Sequence, residues 1–238
     1  TASAPIGASY TLETWFRTPG NNSAPQVLAV WRPEGSGGDH VILSVRDDGS
    51  LRFLHRVPAG GSGGTDVFTP APSSGGTDYN DDQWHHVAAA YDDATDTMTL
   101  YVDGSAVATG TADDPIGADV DVVLGSLGSA RWLNGAMDQT RLWNTALTEV
   151  EIRERMHRTI APEDAASGDL IASYRFDAGT GTTAYDYAGP NPATFQGDPQ
   201  WTAFSGARLG QESAVATSGS GASVGPEGGQ LSAAAVSA

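Results

Sequence analysis

Five histidines, 29 acidic side chains and six tryptophans are the residues of this 238-residue chain with chemistry to offer. His85 and His86 are adjacent, and neighbours on a strand point to opposite faces. They therefore cannot readily share one metal ion, and are expected to be one buried and one exposed side chain. His55 shares a strand face with Leu51, Phe53 and Val57, which suits a hydrogen-bonded histidine at the sheet surface rather than a base. No Ser or Asp spacing near it suggests a triad. Hydrolysis of a glycosidic bond needs two carboxylates roughly 5–10 Å apart. The only comparable acidic run, Glu149-Val150-Glu151-Ile152-Arg153-Glu154, lies where a helix is expected, and cap and arginine partners account for it. The acids at Asp81-Asp82, Asp92 to Asp96 and Asp113-Asp114 fall in turns, where Asp bonds its own backbone. None fits a twelve-residue calcium loop. Indole faces stack on sugar rings while nearby charged groups bond the hydroxyls. Trp15, Trp84, Trp143 and Trp201 sit in or beside strands. Trp31 and the pair Arg131-Trp132 stand at loop junctions and are the candidate glycan-binding residues. With no cysteine there is no disulfide, thiolate metal site or thiol nucleophile, although secretion is not thereby excluded.

The elements that must position these residues are short, alternating and separated by Gly, Asp, Asn and Pro clusters, an all-β pattern. Residues 10–17 alternate Leu12 and Phe16 against Glu13 and Arg17, and residues 27–31 form a second strand after a turn. The segments HVILSV and LRFLHRV flank Asp47-Asp48-Gly49-Ser50, whose Asp-Gly pair supplies the positive φ of a tight hairpin. A second hairpin joins QWHHVAAAYD to TMTLYVDG through Asp93 to Asp96. VDVVLGS, GAMDQTRLW and LIASYRF supply further strands. The one helix is expected to start at Thr148, with Thr148 and Glu151 as a capping box. Glu149/Arg153, Glu151/Arg155 and Glu154/Arg158 would pair along it, and Val150, Ile152 and Met156 would anchor it. Trp201 and Phe204 are the last large apolar neighbours, so the domain is expected to span residues 1–205. Residues 206–238, rich in Gly, Ser and Ala, read as a linker or the start of another module. No internal repeat is evident.

The net charge of −17 disfavours nucleic acid and anionic lipid as partners. No apolar run approaches the roughly 18 residues of a spanning helix, and no basic-then-apolar signal opens the chain, which reads as a piece of a longer protein. All 12 basic residues are Arg. An acid-rich, Lys-free surface suits concentrated salt, where carboxylate repulsion is screened; GC-rich coding is the alternative source of the same composition.

The order of segments over residues 10–205 resembles the laminin-G-like jelly roll, the concanavalin A-like sandwich of laminin-G and pentraxin domains. It is carried by YTLETWFR, by QWHHVAAAYD followed by LYVDG, by LGSLGSARWLNGAMDQTRLWNTALTEVEIRERM and by LIASYRFDAGTGTTAYDYAG. The resemblance implies an antiparallel two-sheet β-sandwich with one short helix. In function it implies a non-catalytic recognition module, extracellular or at the cell surface, binding a glycan or a protein, frequently through Ca²⁺. The alternative is a structural or adhesive protein-interaction domain without a small ligand; an enzyme domain is disfavoured by the missing carboxylate pair. The family's opening strand is not evident before Tyr10, and was either lost upstream or formed by residues 1–8. Where pentraxins carry an Asp-Asn pair, this chain has Asp39 and His40. Where they carry a second acidic stretch, it has Ser126-Leu127-Gly128-Ser129, which offers hydroxyls and carbonyls but no carboxylate. The resemblance thus implies at most a single calcium site built on Asp39, Ser126 and backbone oxygens.

Overall fold

The computed structural model describes residues 2–20, 24–34, 38–60, 63–112, 114–128, 130–160, 168–196, 199–202 and 230–233. Sixteen strands follow in chain order: β1 Ala2–Pro5, β2 Tyr10–Arg17, β3 Gln26–Pro33, β4 Val41–Val45, β5 Leu51–His55, β6 Thr65–Phe68, β7 His85–Asp92 and β8 Thr97–Val102. After them come β9 Ser105–Thr111, β10 Asp119–Leu124, β11 Gly135–Trp143, β12 Leu170–Tyr174, β13 Thr183–Ala184, β14 Ala193–Thr194, β15 Gln200–Thr202 and β16 Gln230–Ala233. The α-helix α1, Glu149–Arg155, separates β11 from β12.

Two antiparallel sheets form the sandwich. One runs β1-β10-β3-β4-β5-β6; the other runs β15-β16-β11-β2-β7-β8-β9, with β12 also on β11. Both expected hairpins are present. In the β4–β5 turn Gly49 adopts φ 81°, and Asp48 accepts from the Ser50 amide at 3.0 Å. The family's opening strand is supplied by Ala2–Pro5, paired antiparallel with β10. Four residues of the segment read as a linker, Gln230–Ala233, pair between β11 and β15.

The core lies between the sheets, where Leu12, Phe16, Trp31, Leu43, Phe53, Val87, Leu100 and Leu142 are completely buried. His55 points into it, not to a surface. Its Nδ1 lies 2.7 Å from Tyr10 Oη and its Nε2 lies 2.7 Å from the Asp114 carbonyl oxygen, so both ring nitrogens are satisfied in an apolar setting.

Helix α1 covers the outer face of the β11-β2-β7-β8 region. Ile152 is fully buried there and Met156 nearly so, but Val150 is 58 % exposed. At about 100° per residue, positions 152 and 156 share a face that 150 does not. Thr148 caps the helix with a reciprocal Glu151 box, a feature worth about 1 kcal/mol. Glu149 and Glu151 pair with Arg153 and Arg155. The expected third partner, Arg158, lies beyond the helix end.

Beneath α1 sits a dry charge network. Glu13 Oε1 accepts from Trp143 Nε1 at 3.0 Å and from Arg141 Nη1 at 3.3 Å, while His86 Nε2 lies 3.2 Å from Glu13 Oε2. Arg141 also donates to the carbonyls of Arg155 and Arg158, holding the end of the helix to the sheet. A bulge between Asp138 and Arg141, with Gln139 at φ 49°, sets this geometry. It brings residues three apart to the same face. Burial alone would push the Glu13 carboxyl up; the contacts from His86, Arg141 and Trp143 outweigh it and hold the group at about 2.

Among the described residues no helix is long and apolar enough to cross a membrane.

Candidate functional site

With α1 seated on one sheet, the outer face of the other is where the sequence-selected residues must be sought. Strand register arranges that face in rows. Val123, Val30, Ile42 and Leu54 stand side by side on β10, β3, β4 and β5. Val30, Ile42 and Leu54 are all at least 95 % buried. Leu127 packs against this apolar row.

The adjacent row is polar. Asp121 of β10 is opposite Arg32 of β3. His40, just before β4, bonds its amide to the Trp31 carbonyl, and its own carbonyl accepts from the Arg56 amide at 2.8 Å. Asp121, Arg32, His40 and Arg56 therefore cross four strands in sequence. His40 Nδ1 is 2.8 Å from the Arg56 carbonyl oxygen, and Arg32 Nε donates to Asp39 Oδ1 at 2.6 Å. Toward the sheet's other end Arg52 pairs with Asp66 across β5 and β6.

The connection from β10 to β11 completes the site. The Gly125 amide bonds the Leu28 carbonyl, Leu127 and Ala130 pair as a bridge, and the Val27 amide bonds the Arg131 carbonyl. This short tongue doubles back along the outer face of β3. Gly128 is near its tip, at φ 66°, where an added Cβ would lie 3.2 Å from Arg32 Nη1. Glycine adopts this φ without the cost a Cβ brings and leaves the guanidinium room. At the base of the tongue Arg131 adopts φ 53° and Trp132 is 41 % exposed.

The residues selected from sequence part company here. Trp31 faces inward, fully buried, its ring 4.7 Å from that of Tyr10, and it has no face for a sugar. Arg131 and Trp132 reach solvent. Asp39 and the Ser126 loop are brought near one another, but the Arg32 guanidinium stands against both the Asp39 carboxylate and Gly128. Ser126 is itself buried.

Calcium needs several hard, largely anionic oxygens. A single carboxylate already bonded to a guanidinium does not fit that need, and among the described residues no group of three or more His, Asp or Glu is arranged to hold a metal. Sequence reasoning missed Arg32, His40 as a row member, Arg56 and Asp121. Their alignment depends on cross-strand register.

His85 and His86 do point to opposite faces. His86 joins the network under α1. His85 is clasped between Asp103, at 2.9 Å, and Asp81, at 3.3 Å. Burial alone would push its imidazole down; the two carboxylates reverse this and hold it above the ordinary histidine value.

Two antiparallel sheets, a single helix on one outer face and a tongue on the other define a lectin-type jelly roll. A family model described as the concanavalin A-like lectin/glucanases superfamily matches residues 1–153, and the chain belongs to that superfamily. Among solved structures, it is similar to a Bacteroides ovatus protein provisionally described as carbohydrate-binding. The two are 22 % identical with a TM-score of 0.58 over 82 % of this chain and 54 % of that one. This chain thus spans about half the length of that protein. The Ruminococcus gnavus IT-sialidase CBM40 bound to α2,3-sialyllactose is 18 % identical with a TM-score of 0.49, covering 63 % of this chain and 83 % of that one. The heptameric SAP-like pentraxin of Limulus polyphemus is 19 % identical with a TM-score of 0.47, covering 63 % and 70 %. No curated protein matches the chain.

Proposed function

We propose that this protein is a non-catalytic glycan-recognition module acting outside the cell or at its surface, and that it binds sugar at the tongue of the six-stranded sheet. Trp132 supplies the stacking face. Arg131 beside it, and Arg32, Asp39 and Arg56 toward the tip of the tongue, supply donors and acceptors for hydroxyls of an extended ligand. The observation that carries the reading is the base of the tongue, where a non-glycine residue, Arg131, is held at φ 53° beside an indole left 41 % exposed. A side chain in the left-handed region costs of order 1–2 kcal/mol, and such strain concentrates where it presents groups to ligands. The lectin-like fold supports the same reading, as does the provisional carbohydrate-binding description of the Bacteroides ovatus protein.

Calcium has no part in this reading, because Arg32 already supplies the positive charge beside Asp39. In the acidic run weighed for catalysis, Glu149 and Glu151 are engaged by arginines of α1.

A glycan array, read with calcium and with chelator, tests the proposal on wild type and on Trp132→Ala. The expected result is a defined set of glycans bound equally in both buffers and lost, by tenfold or more, in Trp132→Ala, with the melting temperature unchanged. Binding that survives in Trp132→Ala, or that vanishes in chelator, overturns this assignment of the site.

A further inference from the structure

The eight-stranded sheet holds a strand that the chain does not need to deliver to itself. β16 pairs with β11 on one side, Gly135 to Met137 against Ala233 to Leu231. On the other side it pairs with β15, Thr202 opposite Gln230. It is the only described link between β15 and the rest of that sheet. Along the same flank of β11, β12 takes the positions from Thr140 onward. The result is a slot one strand wide, bounded by β11, β15 and the end of β12.

Thr202 and Gln230 face each other as the ends of a hairpin would, and two residues suffice to turn a hairpin. Here 27 residues, 203–229, connect them. Neighbouring strands lie about 4.8 Å apart, whereas 27 residues can span up to ~90 Å. The covalent connection therefore does not dictate which copy's strand fills the slot. The strand's own sequence raises no barrier: Gln-Leu-Ser-Ala carries no charge and no Pro, two of the devices by which edge strands refuse partners.

We propose that the slot between β11 and β15 is an interface for a second copy of this chain, which donates its C-terminal strand in trans. Reciprocal donation closes a two-fold dimer; donation in one direction builds longer assemblies. Either arrangement keeps every backbone pairing of the monomer and leaves the tongue face clear, so the inference stands independently of glycan binding.

The chain has no cysteine, which makes the test direct. Ala136 and Ser232 are register partners, within the Cα separation a disulfide spans. The double variant Ala136→Cys/Ser232→Cys should oxidise to an internal link in dilute solution. An equimolar mixture of the two single variants, oxidised at high concentration, should give a covalent heterodimer whose 136–232 link is identified by mass spectrometry. Thr99→Cys mixed with Ser232→Cys should give none, reporting random collision. An internal link in the double variant with no 136–232 heterodimer at any concentration overturns the proposal. So does failure of the double variant to link at all, because β16 then does not occupy the slot.

Discussion

Replacing Arg141 by Met should unsettle the whole domain while sparing its ligand face. Glu13 and Arg141 are at least 99 % buried, so the substitution leaves a carboxylate out of water with only His86 and Trp143 beside it. Breaking a buried pair from one side costs about 3–5 kcal/mol. The carbonyls of Arg155 and Arg158 also lose their donor, but they lie at a helix end that can turn to solvent. We expect a loss of about 4 kcal/mol. For a domain of this size that is a fall in Tm of roughly 8–16 °C.

The pH dependence identifies the cause. In the wild type the Glu13 carboxyl is held at about 2, below its unfolded value. Its contribution is complete above about pH 4.5 and is lost as pH falls from there toward 2. Without Arg141 one of the contacts that hold the carboxyl down is gone while those of His86 and Trp143 remain, so the folded value rises toward the unfolded one; the variant then loses less than the wild type as pH falls below about 4.5, and the deficit narrows there. Glu13→Gln in the Arg141→Met background should recover at least half of the loss. Thermal melts at pH 3 and 7 decide the matter. A deficit below 1 kcal/mol, or one equal at the two pH values, would refute the reasoning.

The His85 clasp titrates in the opposite sense. Its folded value is raised, so its contribution is complete below about pH 6.5 and is lost as pH rises through the folded value. NMR titration of the His85 ring should show a raised midpoint that returns toward the ordinary value in Asp103→Asn; an unmoved midpoint removes the clasp. At −17 net charge, carboxylate repulsion should be relieved by salt. The Tm is expected to climb steadily from dilute buffer to molar NaCl, and a flat profile assigns the Lys-free composition to codon usage.

The strands, both hairpins and the helix cap were legible because each has a local cause: alternation, an Asp-Gly turn, a Thr-Glu box. Which face a strand residue occupies was less legible, because parity counting fails at bulges. In β3 the register shifts between Val27 and Ala29, so the run 27–31 cannot be divided into inner and outer residues by counting. Its outer face is apolar as well, with Val30 covered beside Leu127, and that erases the alternation. Trp31 therefore looked like a loop-junction residue and is core. The Asp138–Arg141 bulge likewise places on one face two residues that strict alternation would separate. Arg131-Trp132 stands out in the sequence because it falls at a loop junction, and there both side chains reach solvent. Arg32 and Arg56 were missed because they meet His40 only across strands, and a single sequence does not carry that register.

The two outer faces of the sandwich are closed by different means, and this decides which can receive a ligand. On the helix side Glu13, His86 and Arg141 are bonded in a space without solvent access. Lifting α1 to admit a sugar would strip the Arg155 and Arg158 carbonyls from Arg141 and wet a charge pair organised for a dry site, a cost of several kcal/mol before any contact is made. On the tongue side Arg32 and Asp39 keep 19 % and 16 % of their side-chain surface in water. Their pairing is still in part solvated, and a hydroxyl that replaces water there costs little. A ligand on the helix face would have to repay the disruption; one at the tongue exchanges water for hydroxyl while covering an indole that is 41 % exposed.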